Sequence, residues 1–259
     1  MIDLFIVTIC VAAICGILGT IIVHKDYIMI TGGISHASFG GVGLAIWLGF
    51  NTTLGAGIFA VLAAMYITYA KRKYGDKINI SISLFWAAGM ALGILFYSMS
   101  DNPKATIQES LFGDIMEIGT EGIVLLFVTA IIVIGLLVVF YESFLVFLLD
   151  DTLAKVQGIN TIAIENWLLV VISVGVISLI HVTGIILVMA LLTAPAAAAS
   201  AFKIGFKKQM LLASGFALIS CIIGNSLYFA LGISPAGSIA LVSVTIFAIV
   251  KLILNSSKK

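Results

Sequence analysis

The sequence is short of charge. Only 10% of its 259 residues are Asp, Glu, Lys or Arg, against roughly a quarter in a soluble domain. That shortage excludes an ordinary soluble enzyme and a disordered chain. The three cysteines, Cys10, Cys15 and Cys221, all lie in apolar runs. An odd number so placed excludes a disulfide framework, and their spacing suits no zinc site. No GxxxxGK[ST] phosphate loop is present, so ATP binding by this chain is not expected. The N-terminus lacks the basic start of a cleaved signal peptide, so the first apolar run is expected to be retained as a helix.

What fills the chain instead is hydrocarbon. Hydrophobic residues make up 62%, and the mean hydropathy is +1.25. A membrane-crossing helix needs about 20 apolar residues, which leaves room for roughly eight to ten of them and little else. The expected fold is all-α: a polytopic transmembrane helical bundle of about eight or nine spans, forming one domain over residues 1–259. Charges delimit the runs at Leu4–Val23, Ile28–Phe50, Thr52–Ala70, Ile80–Met99, Ile123–Leu149, Ile162–Ile180, Val182–Phe202, Met210–Leu231 and Ser238–Leu254. Almost no polar break separates the sixth from the seventh.

Basic residues favour the cytoplasmic side of short loops. With the N-terminus outside, Lys25, the Lys71–Lys77 cluster, Lys155, Lys203, Lys207, Lys208, Lys258 and Lys259 fall inside, and Lys104 alone falls outside. The long outer loop carries Asp101, Glu109, Asp114, Glu117 and Glu121. Clustered carboxylates at an outer mouth raise the local cation concentration, although any solvated loop needs polar residues.

Ionisable groups inside a bilayer are costly and therefore mark function. His36 falls in the second run and His181 at the junction of the sixth and seventh, while His24 falls at the inner boundary. His36 belongs to GGISHASFGG, where glycine pairs flank Ser35, His36, Ala37 and Ser38. Glycine weakens a helix and lets backbones approach, so this segment is expected to face the bundle interior. The competing explanation is a small-residue packing face with one hydrogen-bonded histidine. A second interrupted stretch runs from His181 to Phe202, with Thr193, Pro195 and an alanine run; Pro195 is expected to kink it. Paired interrupted segments in the two halves of a chain point to a transport path. Asn225 and Ser226 are further polar candidates, and GMALG (Gly89–Gly93) matches a small-residue packing motif.

DDTLAKVQG (Asp150–Gly158) is different in kind. Asp150 and Asp151 suit an N-cap and first turn, and Leu153, Val156 and Ile159 share one helical face. Gly158 suits a helix stop. A short inner helix with an apolar face needs a partner to cover it.

At these segments the chain resembles the permease subunit of metal-ion ABC importers, which handle zinc, manganese and iron. Its early segment resembles GDALSHAVLPG, with Ser35, His36, Ala37 and Gly41 matching. Gly32 stands where that family usually has Asp, and Gly40 where it usually has Pro. The late segment resembles VGxLLVxALLxxPAATA, with Gly184, Leu187, Val188, Ala190, Leu191, Leu192, Pro195, Ala196, Ala197 and Ala199 in register. Asp150, Ala154 and Gly158 fit the inner loop D-x-x-x-A-x-x-x-G, similar to the helix that docks on the ATPase. Leu111–Ile115 (LFGDI) and Ser234–Gly237 (SPAG) resemble further landmarks.

The resemblance implies a non-enzymatic subunit of an ATP-driven importer in a prokaryotic cytoplasmic (inner) membrane, surrounded by lipid. It implies a second permease copy, a cytoplasmic ATP-binding subunit, an extracellular or periplasmic substrate-binding protein, and no nucleic acid. No cofactor is bound permanently; the divalent metal ion is cargo, and ATP acts through the partner. His36 is expected to contact the metal, with Ser35, His181, Thr193 and Asn225 along the path. Asp150, Asp151, Leu153, Ala154 and Gly158 are expected to couple to the ATPase. The alternatives are an ATP-independent secondary transporter and a divergent ABC permease with a non-metal cargo. A histidine without the acid at Gly32 favours a softer or borderline ion.

Overall fold

The computed structural model describes residues 2–75, 78–100, 113 and 119–256. Among these residues there is no strand, and ten helices follow one another. They are α1 (Ile2–His24), α2 (Ile28–Leu48), α3 (Thr52–Tyr74), α4 (Ile78–Ser98), α5 (Thr120–Val139), α6 (Tyr141–Leu149), α7 (Asp151–Val156), α8 (Thr161–Ser200), α9 (Phe206–Leu231) and α10 (Pro235–Ser256). Eight of them are long and apolar enough to cross a membrane. Of the outer-loop residues, Asp101, Lys104, Glu109, Asp114 and Glu117 lie outside the described residues, as do most of Leu111–Ile115, Lys77, Lys258 and Lys259.

Local chemistry explains several helix ends. Asn51 caps α3, its Oδ1 accepting from Leu54 N at 3.0 Å. Asn160 does the same ahead of α8, accepting from Ala163 N at 3.0 Å. Two boundaries differ from the hydropathy pattern. The run Ile123–Leu149 breaks at Phe140 (φ −107°, ψ 18°), and α6 starts with Tyr141, Glu142 and Ser143. An unbroken helix over that run would exceed the roughly 30 Å of hydrocarbon, and these polar residues stop it.

The sixth and seventh runs form one continuous stretch, α8, whose break is at Gly184 (φ 76°, ψ 164°) rather than at His181. That conformation is essentially open to glycine alone. Pro195, the expected kink, is carried inside helix. A missing backbone bond is tolerated in a membrane helix where neighbours shield the freed group. The half after Gly184 is about 24 Å long at 1.5 Å per residue.

The chain forms two compact units. The first comprises Met1–Asp26, Leu111–Val133 and Ser178–Lys259. Within it α1 packs on α9, where Gly16 abuts the Ser214 main chain, and on α8, where Gly19 abuts the Leu192 carbonyl and Ala196. Ala196, Ala199 and Ala213 form a small buried cluster there. Ser238 ties α10 to α9 by donating to Gly224 O at 3.0 Å. Gly113 lies against Thr183 and Gly184, so the break in α8 sits beside a residue of the outer segment.

The second unit comprises Tyr27–Ser110 and Ile134–Ile177. Here α2 packs on both α3 and α4. Gly41 and Gly55 meet each other's carbonyls, Gly43 meets Gly93, and Gly89 meets the His36 carbonyl. The GMALG motif is thus the α2 contact face of α4. Trp47 and Phe96 stack across the same pair, 5.5 Å between centroids.

Large apolar side chains point outward on several helices, among them Leu84, Val139, Leu211 and Leu241. Such faces suit lipid rather than water. Inward hydroxyls are satisfied locally: Thr20, Thr31, Ser35, Thr68, Ser173, Thr183 and Ser220 each donate to the carbonyl one turn back, at 2.7–2.9 Å. The three cysteines are free and buried.

These contacts separate two classes of glycine. Gly41→Ala should destabilise the detergent-solubilised protein by about 1–3 kcal/mol, because its Cβ meets the Gly55 main chain. Gly135→Ala, with open space around it inside α5, should be neutral or stabilise by about 0.5–1 kcal/mol. Thermal unfolding of the two variants checks the contrast.

Candidate functional site

Polar groups gather at three places in the second unit. The first is the inward face of α2. Ser35 is fully buried and donates to Thr31 O at 2.9 Å. His36 is half-buried, with its ring 4.9 Å from that of Trp86 on α4 and tilted by 43°. Its Nδ1 and the Trp86 Nε1 are buried without hydrogen-bond partners. Among the described residues no three His, Cys, Asp or Glu side chains stand together as a metal cage. His36 supplies the imidazole on this face.

The second place is an ionic hub where the start of α2, the end of α3 and the start of α8 meet. Glu165 is a carboxylate in the first turns of α8, inside a run that hydropathy treats as wholly apolar. Its Oε1 accepts from Lys71 Nζ at 2.7 Å and from the Tyr27 hydroxyl at 2.7 Å. Lys71 also donates to the Tyr27 oxygen at 3.2 Å and lies over its ring, 4.5 Å from the centroid. Arg72 Nη2 stands 3.6 Å from Glu165 Oε2 and donates to Ile162 O and to Asn166 Oδ1. Burial pushes the Tyr27 phenol up in pKa, and the negative charge of Glu165 adds to that shift. Tyr27 thus remains a donor at physiological pH. The hub joins the residue before α2, the last turn of α3 and the start of α8. A carboxylate three residues past a span start and a KRK run at another span's inner end were its sequence signals.

The third place is α7, reached through the hub. Asp150 is its N-cap: Oδ1 accepts from Thr152 N at 2.7 Å and Leu153 N at 3.1 Å. Ala154 is fully buried, whereas Leu153 is 47% and Val156 80% exposed. Gly158 takes φ 76° and ends the segment. Asp151 is exposed and, with Lys155, Arg72, Phe147 and Glu165, lines a groove of about 440 Å³ between α7 and the hub.

The remaining candidates belong to the first unit. His181 is exposed, in the helix just before the Gly184 break. Thr193 is half-buried and donates to Met189 O at 2.7 Å. Asn225 is 7% exposed on α9, with a buried Oδ1 that has no hydrogen-bond partner. His24 is exposed, hydrogen-bonded to Gln209 at 2.7 Å and stacked on Phe206. Ser226 donates to Ile222 O. The structure thus brings Ser35, His36 and the Asp150–Gly158 segment into one unit and His181, Thr193 and Asn225 into the other.

Glu165→Gln should lower the unfolding midpoint by the equivalent of about 1–2 kcal/mol, since charge-assisted bonds weaken while Lys71 is partly exposed to solvent. In a double-mutant cycle the loss should largely coincide with that of Lys71→Met, giving a coupling energy that unconnected residues lack.

The model of the ABC 3 transport family matches residues 1–254. The manganese transport system membrane protein MntC of Listeria innocua serovar 6a is 30% identical over 244 residues, covering 94% of this chain and 87% of that one. A probable metal transport system membrane protein of Treponema pallidum is 25% identical, covering 95% and 92%. Among solved structures, PsaBC from Streptococcus pneumoniae in complex with a Fab superposes with a TM-score of 0.86 and 26% identity, covering 96% of this chain and 89% of that one. The family model covers almost the whole length, and the described residues hold eight helices long and apolar enough to cross a membrane: the chain belongs to the ABC 3 transport family.

Proposed function

We propose that the chain is the transmembrane permease subunit of an ATP-driven importer that carries a divalent metal ion. The observation that carries this reading is α7, a six-residue helix that turns Leu153 and Val156 outward while burying Ala154. Two exposed aliphatic side chains on a charged inner loop have no use in a self-contained channel. They suit a groove on a cytoplasmic ATP-binding subunit. Relatives are named for manganese or for metal without a stated ion, whereas an imidazole without an acid at Gly32 favours a borderline ion, so uptake must rank the cargoes. A single imidazole, without a cage around it, favours brief contact over tight binding, as conduction requires.

The wider assembly follows the same logic. The whole chain acts as one permease domain of a prokaryotic cytoplasmic membrane, with basic loops inside. A second copy completes the path, an extracellular or periplasmic binding protein delivers the ion, and ATP is hydrolysed in the partner. Closure of the ATPases pushes on α7, and the Lys71–Glu165–Tyr27 hub passes that push to the root of α2, which carries Ser35 and His36. His181, Thr193 and Asn225 serve as further path residues. An ATP-independent transporter would use a buried acid for ion coupling, whereas Glu165 is already engaged with Lys71 and Tyr27.

Uptake of manganese, zinc and iron should be measured in cells stripped of their own importers. His36→Ala should lower accumulation of the preferred ion about tenfold or more, and an unchanged rate would remove His36 from the path. Val156→Asp, at a solvent-facing position, should leave the unfolding midpoint unchanged yet abolish transport-linked ATP hydrolysis. Full coupling in that variant would show that α7 does not dock.

A further inference from the structure

We propose that Trp86 is a positioning residue that sets how His36 meets the transported ion, and thereby which ion is preferred. The proposal rests on the reading of His36 as an ion contact. Gly32 and His36 are one helical turn apart and share a face of α2. Trp86, Gly89 and Gly93 form the facing stripe on α4. Where the stripes meet, a Cβ on Gly32 would run into the indole, approaching Cε2 to 2.9 Å. The Trp86 Nε1 lies 3.5 Å from where a Cβ on Gly33 would stand. The two rings are 4.9 Å apart, and Gly89 presses on the His36 carbonyl. The imidazole thus has the indole beside it, while its own backbone is packed against α4.

Two polar atoms are stranded at this contact, His36 Nδ1 and Trp86 Nε1. Buried polar atoms nearly always have partners, so a pair of orphans in one ring contact points to a bond completed only in another state or by a ligand. A metal-ligating histidine usually donates from its second nitrogen to a carboxylate or carbonyl, which strengthens it as a ligand. Here Nδ1 has no such acceptor. The indole also fills the space beside Gly32 that an acidic side chain would need. Trp86 thus does two things: it denies the ion a second, hard ligand at this level, and it leaves His36 an unassisted imidazole. Such a site suits a borderline ion and rapid release.

The test uses the full permease with its ATPase in cells, measuring KM and maximal rate for zinc and for manganese separately. Trp86→Phe keeps an aromatic wall and should hold the zinc-to-manganese ratio within about twofold of wild type. Trp86→Ala should shift that ratio by at least about fivefold, chiefly through KM. Gly32→Asp combined with Trp86→Ala places a carboxylate in the vacated space, and should lower both KM and maximal rate for manganese as the harder ion is held longer. Trp86→Leu fills the volume without a ring and carries the same test if the alanine variant does not fold; unfolding midpoints identify folded variants. A folded Trp86→Ala or Trp86→Leu protein with unchanged KM values and ion ratio would overturn the proposal. If wild type carries neither zinc, manganese nor iron, the proposed function itself fails; if wild type carries ions and His36→Ala does not, unchanged Trp86 variants refute the role of Trp86 alone.

Discussion

Where α2 crosses α3 and α4, main chain lies against main chain, and that contact holds only while Gly41, Gly55, Gly89 and Gly93 carry no side chain. In lipid no hydrophobic drive pulls two apolar helices together, so close packing and hydrogen bonding must do so. The glycines supply the closeness. The face of α2 follows from it: the indole lies against Gly32, the imidazole lies beside the indole, and the Thr31 and Ser35 hydroxyls bond to their own helix. The same crowding keeps hydrocarbon tails away from the polar side chains.

The ionic hub answers a different constraint. A charge within a helix of this kind is tolerable near the interface and when paired. Glu165 meets both conditions, close to the start of α8 with three donors converging on its carboxylate or near it. Its neighbours also make it a mechanical junction. Tyr27 immediately precedes α2, Lys71 and Arg72 end α3, and the groove next to them opens onto α7. The root of α2, the end of α3 and the start of α8 thus meet at one carboxylate beside α7.

Much of this was legible in the sequence because the bilayer restricts the choices. Most helix positions followed from run lengths. The Asp150 cap and the Gly158 stop of α7 followed from local backbone chemistry that needs no tertiary information. The hub was not legible in that way. Lys71 and Glu165 are 94 residues apart, and a pairing over that distance depends on how helices pack. The Trp86 contact was hidden for the same reason, since GMALG says that a face packs but not against what. The breaks at Phe140 and Gly184 escaped because hydropathy measures transfer from water and is blind to φ and ψ. Pro195 looked like the stronger interruption, yet proline removes one bond, whereas Gly184 leaves the helical region altogether.

The break at Gly184 also bears on how the chain enters the membrane. From Thr161 to Ser200 the ionisable side chains are Glu165 and His181, so an insertion machinery that senses hydrophobicity meets 40 residues with scarcely a pause. Taken as one crossing, that stretch would leave Lys203, Lys207 and Lys208 on the outer face, against the preference of basic loops. Hydropathy alone would therefore read one over-long segment, and the one position where the backbone leaves the helical region is Gly184.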